Sequence, residues 1–336
     1  MKTRRIIATT LALLAAVACL AGIVGCATNP AGNDTGTPLK VAAMKGPTAI
    51  GLASLMQEQD ALVDEGKKAA YEFTVAATAD ELVPRVAAGD FDIACVPANL
   101  AVKLYEQTGG AVRVIGINTL GVLYGVSHDG NVRDIYDLAG RTVYLTGKGS
   151  VPGYTVEYLL AKAGVADSVT LEYASEPSEA LARMNADPSA VAIVPEPFAT
   201  ASLAKDAELV RVLDLTALWD ESTGPEAGRF VTGVTVARSE LIDDDPEAVA
   251  SFVDAWDISV RSALADPSSI AQTLVDLGIL GNAALADKAI PNCNVVCIRS
   301  EEMKSDLSGY LKTLYEAEPS SIGGTLPDDG FYCIGS

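Results

Sequence analysis

The sequence contains a single histidine, His128, and lacks the short patterns that mark common catalytic sites. It has no Gly-x-Ser-x-Gly segment. The segment Gly147-Lys148-Gly149-Ser150 has neither the P-loop spacing nor the dinucleotide-binding spacing. No histidine lies near the cysteines in the pattern of a zinc site. We therefore expect no catalytic residue, no metal and no cofactor.

Positive charge is also scarce, since Lys and Arg total 24 against 44 Asp and Glu, and the net charge is −20. An acidic surface of this kind argues against binding to nucleic acid and against electrostatic binding to anionic lipid. It says little about a small ligand, because the local loops decide which ligand binds.

The N-terminus has the pattern of an export signal. Basic residues among the first five are followed by an uncharged run that continues to Val24, as in secretory signal peptides. The run ends in IVGC, which resembles the lipobox of bacterial lipoproteins and would make Cys26 the lipidated first residue. We predict a signal peptide over 1–25 and a flexible tether over 26–38. An uncleaved membrane anchor is the alternative, because the run is nearly long enough to cross a bilayer.

Four further cysteines follow, namely Cys95, Cys293, Cys297 and Cys333. Cys293 and Cys297 lie in NCNVVCI, a pattern typical of a strand. Four residues along a strand span about 13 Å, which is too far for a disulfide between these two. We expect Cys293 and Cys297 to be small buried side chains. The other disulfide pairings among the four cysteines stay open.

Two segments have the same order of strand, loop and helix. In the first, a predicted strand over Leu39–Met44 leads through Lys45 to Pro47 and Thr48, where a helix begins. In the second, a strand over Thr142–Leu145 leads through a Lys/Gly/Ser loop to a helix that opens at Pro152. Each loop combines a lysine, a hydroxyl group and a helix N-terminus, which suits a polar or anionic ligand. We expect the two loops to face each other, although each alone also fits an ordinary β–α turn.

Three further polar residues follow predicted strands. Asn99 and Asn118 stand just past strand ends, where ligands of open α/β sheets usually bind; plain turn chemistry is the alternative. Glu196 stands between two prolines at a strand end and could point into a cleft, or it could be a solvated loop acid. Trp256 falls on the apolar face of a predicted long helix and is expected in the core.

The strands and helices alternate along the chain, and two segments are predicted to cross between lobes, Leu120–Val126 and Phe230–Val236. We therefore expect lobe one to comprise 39–122 and 230–336, and lobe two to comprise 123–229.

Several segments together resemble the solute-binding lipoproteins of bacterial ABC importers, in the nitrate/sulfonate/taurine and thiamine-precursor branch. Besides the lipobox, they are KVAAMKGPTAIGLASLM, FDIACVPANLAVKLYEQTG, DLAGRTVYLTGKGS, AIVPEPFATA and SGYLKTLYEAEPSSIGGTLPDD. The resemblance implies an α/β, two-lobed periplasmic-binding-protein fold, type II-like, with a ligand cleft between the lobes. Members often carry Trp immediately before the Glu-Pro of the second lobe, where this chain has Pro195, and this difference leaves the ligand class open.

The resemblance also implies partners and a location. The partners would be a small-molecule solute, here polar or anionic, and ABC permease and ATPase subunits. The chain would be a monomer held on the outer face of the cell membrane by a lipid anchor. Two other functions stay open. One is a pyrimidine synthase of the thiamine pathway, which the export signal and the single histidine argue against; the other is a surface adhesin or sensor domain.

The ligand contacts expected from the two loops and the strand ends are Lys45, Thr48, Asn99, Asn118, Lys148, Ser150, Tyr154 and Glu196. The lysines and helix N-termini would hold a negative or strongly polar end of the solute. Glu196 would accept from an amine or ring N–H, and Tyr154 would stack. A hinge at the crossing segments would close the lobes.

Overall fold

The computed structural model describes residues 37–335, which belong to the unit Thr35–Ser336. The predicted signal peptide, Cys26 and most of the predicted tether lie outside the described residues. Within residues 37–335, no helix is both long enough and apolar enough to cross a membrane.

The described residues form eleven strands. In chain order they are β1 (Leu39–Met44), β2 (Tyr71–Ala76), β3 (Ile93–Pro97), β4 (Val112–Leu120), β5 (Leu123–Ser127), β6 (Thr142–Thr146), β7 (Thr170–Ala174), β8 (Val191–Pro195), β9 (Val210–Asp214), β10 (Val231–Arg238) and β11 (Val295–Ile298).

Helices connect and cover these strands. In chain order they are α1 (Pro47–Ile50), α2 (Ala53–Asp64), α3 (Ala79–Ala87), α4 (Ala98–Gln107), α5 (Val151–Ala163), α6 (Pro177–Asn185), α7 (Phe198–Lys205), α8 (Leu215–Ser222), α9 (Ser239–Asp244), α10 (Pro246–Ala265), α11 (Ala271–Asp276), α12 (Ala286–Ala289) and α13 (Ser300–Ala317). Short 3-10 helices occupy Ile135–Leu138, Ala166–Ser168, Pro225–Ala227, Pro267–Ile270, Ala283–Leu285, Ile290–Asn292, Pro319–Ile322 and Asp329–Phe331.

The strands form two mixed sheets with the same internal plan. The first has the order β11-β4-β10-β3-β1-β2, with β1 parallel to β2 and β3, and with β10 antiparallel to β3 and β4. The second has the order β7-β6-β8-β5-β9, with β6 parallel to β7 and β8, and with β5 antiparallel to β8 and β9. The repeated strand–loop–helix pattern of the sequence therefore starts, in each sheet, at the strand that lies between two parallel neighbours. The predicted α/β class is confirmed.

The chain passes between the sheets twice, from β4 to β5 and from α8 to β10. At the first crossing, Gly121 packs so closely that a Cβ atom would lie 2.2 Å from Thr216 Oγ1 and 2.5 Å from Phe230 Cδ1. Only glycine fits at this point without displacing the second crossing.

The apolar core continues from one sheet to the other. Trp219 of α8 lies 5.9 Å from Phe230 and 5.2 Å from Tyr310 of α13, measured between ring centroids. Tyr310 also approaches Thr155 of α5, with 3.2 Å between the two hydroxyl oxygens. Since α5 and α8 cover the second sheet and α13 packs on the first, this aromatic group holds the two sheets together. Trp256 is buried in a separate cluster against the first sheet, as predicted.

The four cysteines within the described residues are free thiols. Cys293 is buried, in agreement with the prediction, whereas Cys297 is only partly buried. Cys95 is buried too, and burial raises its pKa to about 11. The prediction of one strand over NCNVVCI was wrong for Cys293. It follows the 3-10 helix Ile290–Asn292, and β11 begins only at Val295.

Candidate functional site

A cavity lies between the two sheets at their facing strand ends. Its walls come from the carboxyl ends of β1, β3 and β8, from the start of α1 and from the first turn of α5. The amino-terminal ends of β5 and β10 complete it, because these strands run antiparallel to β8 and β3 and so begin at the same edge. Ligands of open α/β sheets bind in this position.

Each of the four strand-to-helix junctions at the cavity contributes a proline. Pro47 opens α1, Pro97 precedes α4, Pro152 stands in the first turn of α5, and Pro195 ends β8. Proline has no backbone N–H and carries a ring of three methylene groups. These four positions therefore present ring carbon to the cavity and carry no backbone donor.

The cavity is small and apolar. It measures about 130 Å³ and is lined, besides the prolines, by Met44, Lys45, Thr48, Val122, Leu123, Phe230 and Thr232. The surface that faces the cavity is almost entirely carbon.

Two of the three polar lining residues, Thr48 and Lys45, direct their polar atoms elsewhere. Thr48 Oγ1 donates to the Met44 carbonyl oxygen at 3.0 Å. The Lys45 ammonium lies beside Gly278, where an added Cβ atom would be 2.6 Å from Nζ. Thr232 Oγ1 is buried and has no hydrogen-bond partner within residues 37–335. Lys45 and Thr48 are thus the two predicted contacts that line the cavity.

Asn118 lies next to the cavity but does not line it. Asn118 and Thr48 both pack against Gly233. A Cβ atom added to Gly233 would lie 2.5 Å from Asn118 Oδ1 and 2.7 Å from the Thr48 methyl group. Asn118 Nδ2 donates to Thr235 Oγ1 at 3.2 Å, so its amide links β4 to β10 within the first sheet. Asn99 lies farther away, since its Nδ2 donates to the Ser321 carbonyl oxygen at 3.2 Å and ties α4 to the C-terminal segment.

The loop after β6 places its predicted contacts outside the cavity. Lys148 is exposed, with Nζ 5.8 Å from the centre of the Tyr173 ring. Ser150 Oγ donates to the Gly147 carbonyl oxygen at 2.9 Å. Tyr154 lines a groove of about 560 Å³ that runs between α5 and α13. That groove is larger than the cavity. It is formed by helices and by the turn around Gly224, and not by strand ends.

Glu196 is fully buried and engaged within its own lobe. Its carboxylate accepts hydrogen bonds from Thr200 N at 3.1 Å and Thr200 Oγ1 at 2.9 Å, and it forms an ion pair with Arg211. Burial raises the pKa of Glu196, against the opposing effects of Thr200 and Arg211. The side chain holds the start of α7 against β9 and does not line the cavity.

Sequence reasoning missed most of the wall. The unpredicted lining residues are Met44, Pro47, Pro97, Val122, Leu123, Pro152, Pro195, Phe230 and Thr232. The proline at each of the four junctions that border the cavity was visible in the sequence and could have indicated an apolar wall. No group of three or more His, Cys, Asp or Glu side chains within residues 37–335 could hold a metal ion.

The sequence matches the model of a protein family described as "Menaquinone biosynthesis" over residues 49–287, more than half of the chain. No curated protein matches the sequence significantly.

Solved structures with the same fold include an ABC transporter from Parabacteroides distasonis, with 26% identity and a TM-score of 0.74 over 88% of this chain and 99% of that one. The periplasmic aliphatic sulphonate binding protein SsuA from Escherichia coli has 11% identity and a TM-score of 0.69 over 87% and 95% of the two chains. The alkanesulfonate-binding protein SsuA from Xanthomonas axonopodis pv. citri, bound to MOPS, has 14% identity and a TM-score of 0.60 over 87% and 94%. The predicted periplasmic-binding-protein fold is confirmed.

Proposed function

Since the chain belongs to the family described as menaquinone biosynthesis and has the fold of periplasmic solute-binding proteins, we propose that it is the extracytoplasmic solute-binding component of an ABC importer. It captures a small organic solute and delivers it to a membrane permease. The observation that carries this proposal is the cavity at the facing strand ends, which receives wall residues from both sheets. A solute there contacts both lobes at once and stabilises their closed arrangement.

The proposed lobes are residues 39–122 with 230–336, and residues 123–229. The sheets support this division, because β1–β4, β10 and β11 form one sheet and β5–β9 form the other. Motion between the lobes takes place at the crossings from β4 to β5 and from α8 to β10. The polar or anionic solute expected from the sequence rests on Lys45 and Lys148, of which only Lys45 borders the cavity.

Cross-linking in cells of the native species tests the importer role. A photoreactive residue at exposed positions of the full chain should capture an ABC permease, and a permease deletion should abolish uptake of the solute. Capture of host-surface molecules in place of a permease would favour the adhesin alternative.

A second candidate function, an enzyme of menaquinone biosynthesis, is favoured by the family description. Native mass spectrometry separates the two. A binding protein incubated with a cell extract retains one small molecule and releases it unchanged on denaturation. Release of a molecule whose mass differs from every compound in the untreated extract would indicate turnover.

Membrane attachment through Cys26 is part of the proposal and rests on the IVGC sequence that follows the apolar run. Metabolic labelling with a palmitate analogue should mark the wild type and not Cys26→Ser. Equal labelling of the two chains contradicts the lipid anchor.

A further inference from the structure

The chemistry of the cavity identifies a class of solute, and this inference rests on the proposed function. We infer that the cavity takes an uncharged, ring-sized apolar group, and that the solute is a small neutral ring compound. An anionic compound such as a sulfonate does not fit this class.

The size of the cavity is the first argument. An apolar cavity of roughly 150 Å³ stays dry and holds one benzene molecule. The cavity here, at about 130 Å³, is close to that size. Sites for drug-sized ligands measure about 300–1,000 Å³, so a cavity of this volume matches a single ring.

The lining is the second argument. Pro47 and Pro97 from the first lobe and Pro152 and Pro195 from the second all line the cavity, and so does Phe230. These residues offer the solute no charge and no side-chain donor. Burying a charge in such a place without a partner costs several kcal/mol, whereas burying a neutral ring is favourable.

The third argument concerns the groups that could have bound an anion. Lys45 contributes its stem to the wall while its ammonium stands beside Gly278, as long basic side chains often do at apolar surfaces. Lys148 is exposed and does not line the cavity, and Arg211 is paired with Glu196. Within residues 37–335, the cavity wall therefore includes no cation aimed at its interior.

Two fluorinated probes of the same ring size test this inference by ¹⁹F NMR on the purified full chain. The blank contains the same detergent and no protein. Fluorobenzene should bind saturably at one site, and 4-fluorobenzenesulfonate should bind at least tenfold more weakly. Equal or tighter binding of the sulfonate overturns the neutral class, and so does the absence of saturable fluorobenzene binding.

Variants place the probe in the cavity. Val122→Leu adds a methylene group to the wall and should weaken fluorobenzene binding tenfold or more. Val63→Leu makes the same change at a position that is 58% exposed and should leave binding unchanged. Unaltered binding in a folded Val122→Leu protein contradicts the assignment. Thr232→Ile fills the same cavity from β10. If Val122→Leu does not fold, Thr232→Ile replaces it in this test and should weaken fluorobenzene binding in the same way.

A further variant tests whether the Thr232 hydroxyl contributes to binding of the ring. Thr232→Val replaces the unpartnered hydroxyl by a methyl group with little change of shape. It should bind fluorobenzene as well as the wild type does, or up to threefold more tightly. A tenfold loss of fluorobenzene affinity in Thr232→Val would contradict an apolar ring contact at this position. The importer role is judged separately by permease capture, so either conclusion can fail without the other.

Discussion

Tyr124 of the second sheet donates a hydrogen bond from its hydroxyl to the carbonyl oxygen of Asn292, at 3.0 Å. Asn292 stands shortly before β11 of the first sheet, so this bond connects the lobes. The Arg211 guanidinium lies over the Tyr124 ring, with 4.1 Å from Cζ to the ring centre. Burial raises the pKa of the Tyr124 hydroxyl and keeps it protonated as a donor.

We expect Tyr124→Phe to lower the free energy of unfolding by about 1 kcal/mol, because one largely buried hydrogen bond is lost and the ring is kept. Urea unfolding of the full chain measures this change. Tyr136→Phe is the control, since Tyr136 is 60% exposed, and it should unfold as the wild type does. Equal stability of both variants and the wild type would mean that the bond between the lobes does not form in solution.

The ion pair of Glu196 and Arg211 makes a second prediction. Arg211→Ala leaves the buried carboxylate with only Thr200 as a partner and should cost about 3 kcal/mol. Glu196→Gln keeps an acceptor for Thr200 and should cost less, about 1 kcal/mol. Urea unfolding of both variants measures these costs. If Glu196→Gln lowers the free energy of unfolding as much as Arg211→Ala does, an unpaired buried charge is not the cause of the loss in Arg211→Ala.

The pH dependence of this pair follows from the direction of the pKa shift. Burial raises the pKa of Glu196 in the folded chain, so the folded state binds the proton more tightly than the unfolded state. The stabilisation is complete below the ordinary glutamate pKa and is lost as the pH rises through the raised value. The stability of wild type relative to Glu196→Gln should therefore fall across that window, by at most about 1.4 kcal/mol per pH unit. If the stability of wild type relative to Glu196→Gln rises with pH instead, the pKa of Glu196 is lowered in the folded chain and not raised.

The sequence predicted much of the fold because its signals are local. Strands such as Leu39–Met44 and helices such as the one at Pro47 are recognisable from a few neighbouring residues. The same local reasoning assigned Lys148 and Ser150 to the cleft because of their place in a loop, whereas the structure directs both away from the cavity.

Partners that are distant along the chain explain the other differences. Glu196 pairs with Arg211 of β9, and Asn99 with the backbone at Ser321. Neither pairing has a local sequence signal. The cavity itself is formed by ends of strands from both sheets, so the full set of lining residues became apparent only once those strands were placed together.

Gly228 offers a test of the contact between the second crossing and α13. Its φ of +65° and ψ of 174° suit glycine alone, and a Cβ atom there would lie 2.0 Å from the Asp306 carbonyl oxygen. Gly228→Ala should therefore cost about 3 kcal/mol or more, from backbone strain and displacement of α13 together. Thermal unfolding detects a loss of this size.

The matched control for that variant is Gly140→Ala. Gly140 also has a positive φ, +79°, but no atom lies within 4 Å of an added Cβ. It should cost only about 1 kcal/mol, the strain of a left-handed alanine. Similar losses of stability in the two variants would mean that displacing α13 at Gly228 costs no free energy.

The two tryptophans of the chain report on different parts of the fold. Trp219 belongs to the aromatic group that joins the sheets, and Trp256 to the cluster on the first sheet alone. Because apolar packing continues between the sheets, we expect both parts to unfold in one transition. Trp256→Phe leaves Trp219 as the fluorescent reporter, and Trp219→Phe leaves Trp256.

In each variant, the fluorescence midpoint in urea should coincide with the far-UV circular dichroism midpoint of the same protein. The two variants should differ in stability. Trp219 Nε1 donates to the Gly228 carbonyl oxygen at 2.8 Å, whereas Trp256 Nε1 is buried without a partner in residues 37–335. Trp219→Phe should therefore cost about 1 kcal/mol more than Trp256→Phe, since only the former breaks a hydrogen bond. A fluorescence transition that precedes the dichroism transition in either variant would show that the lobes unfold separately, and that the aromatic group does not couple them.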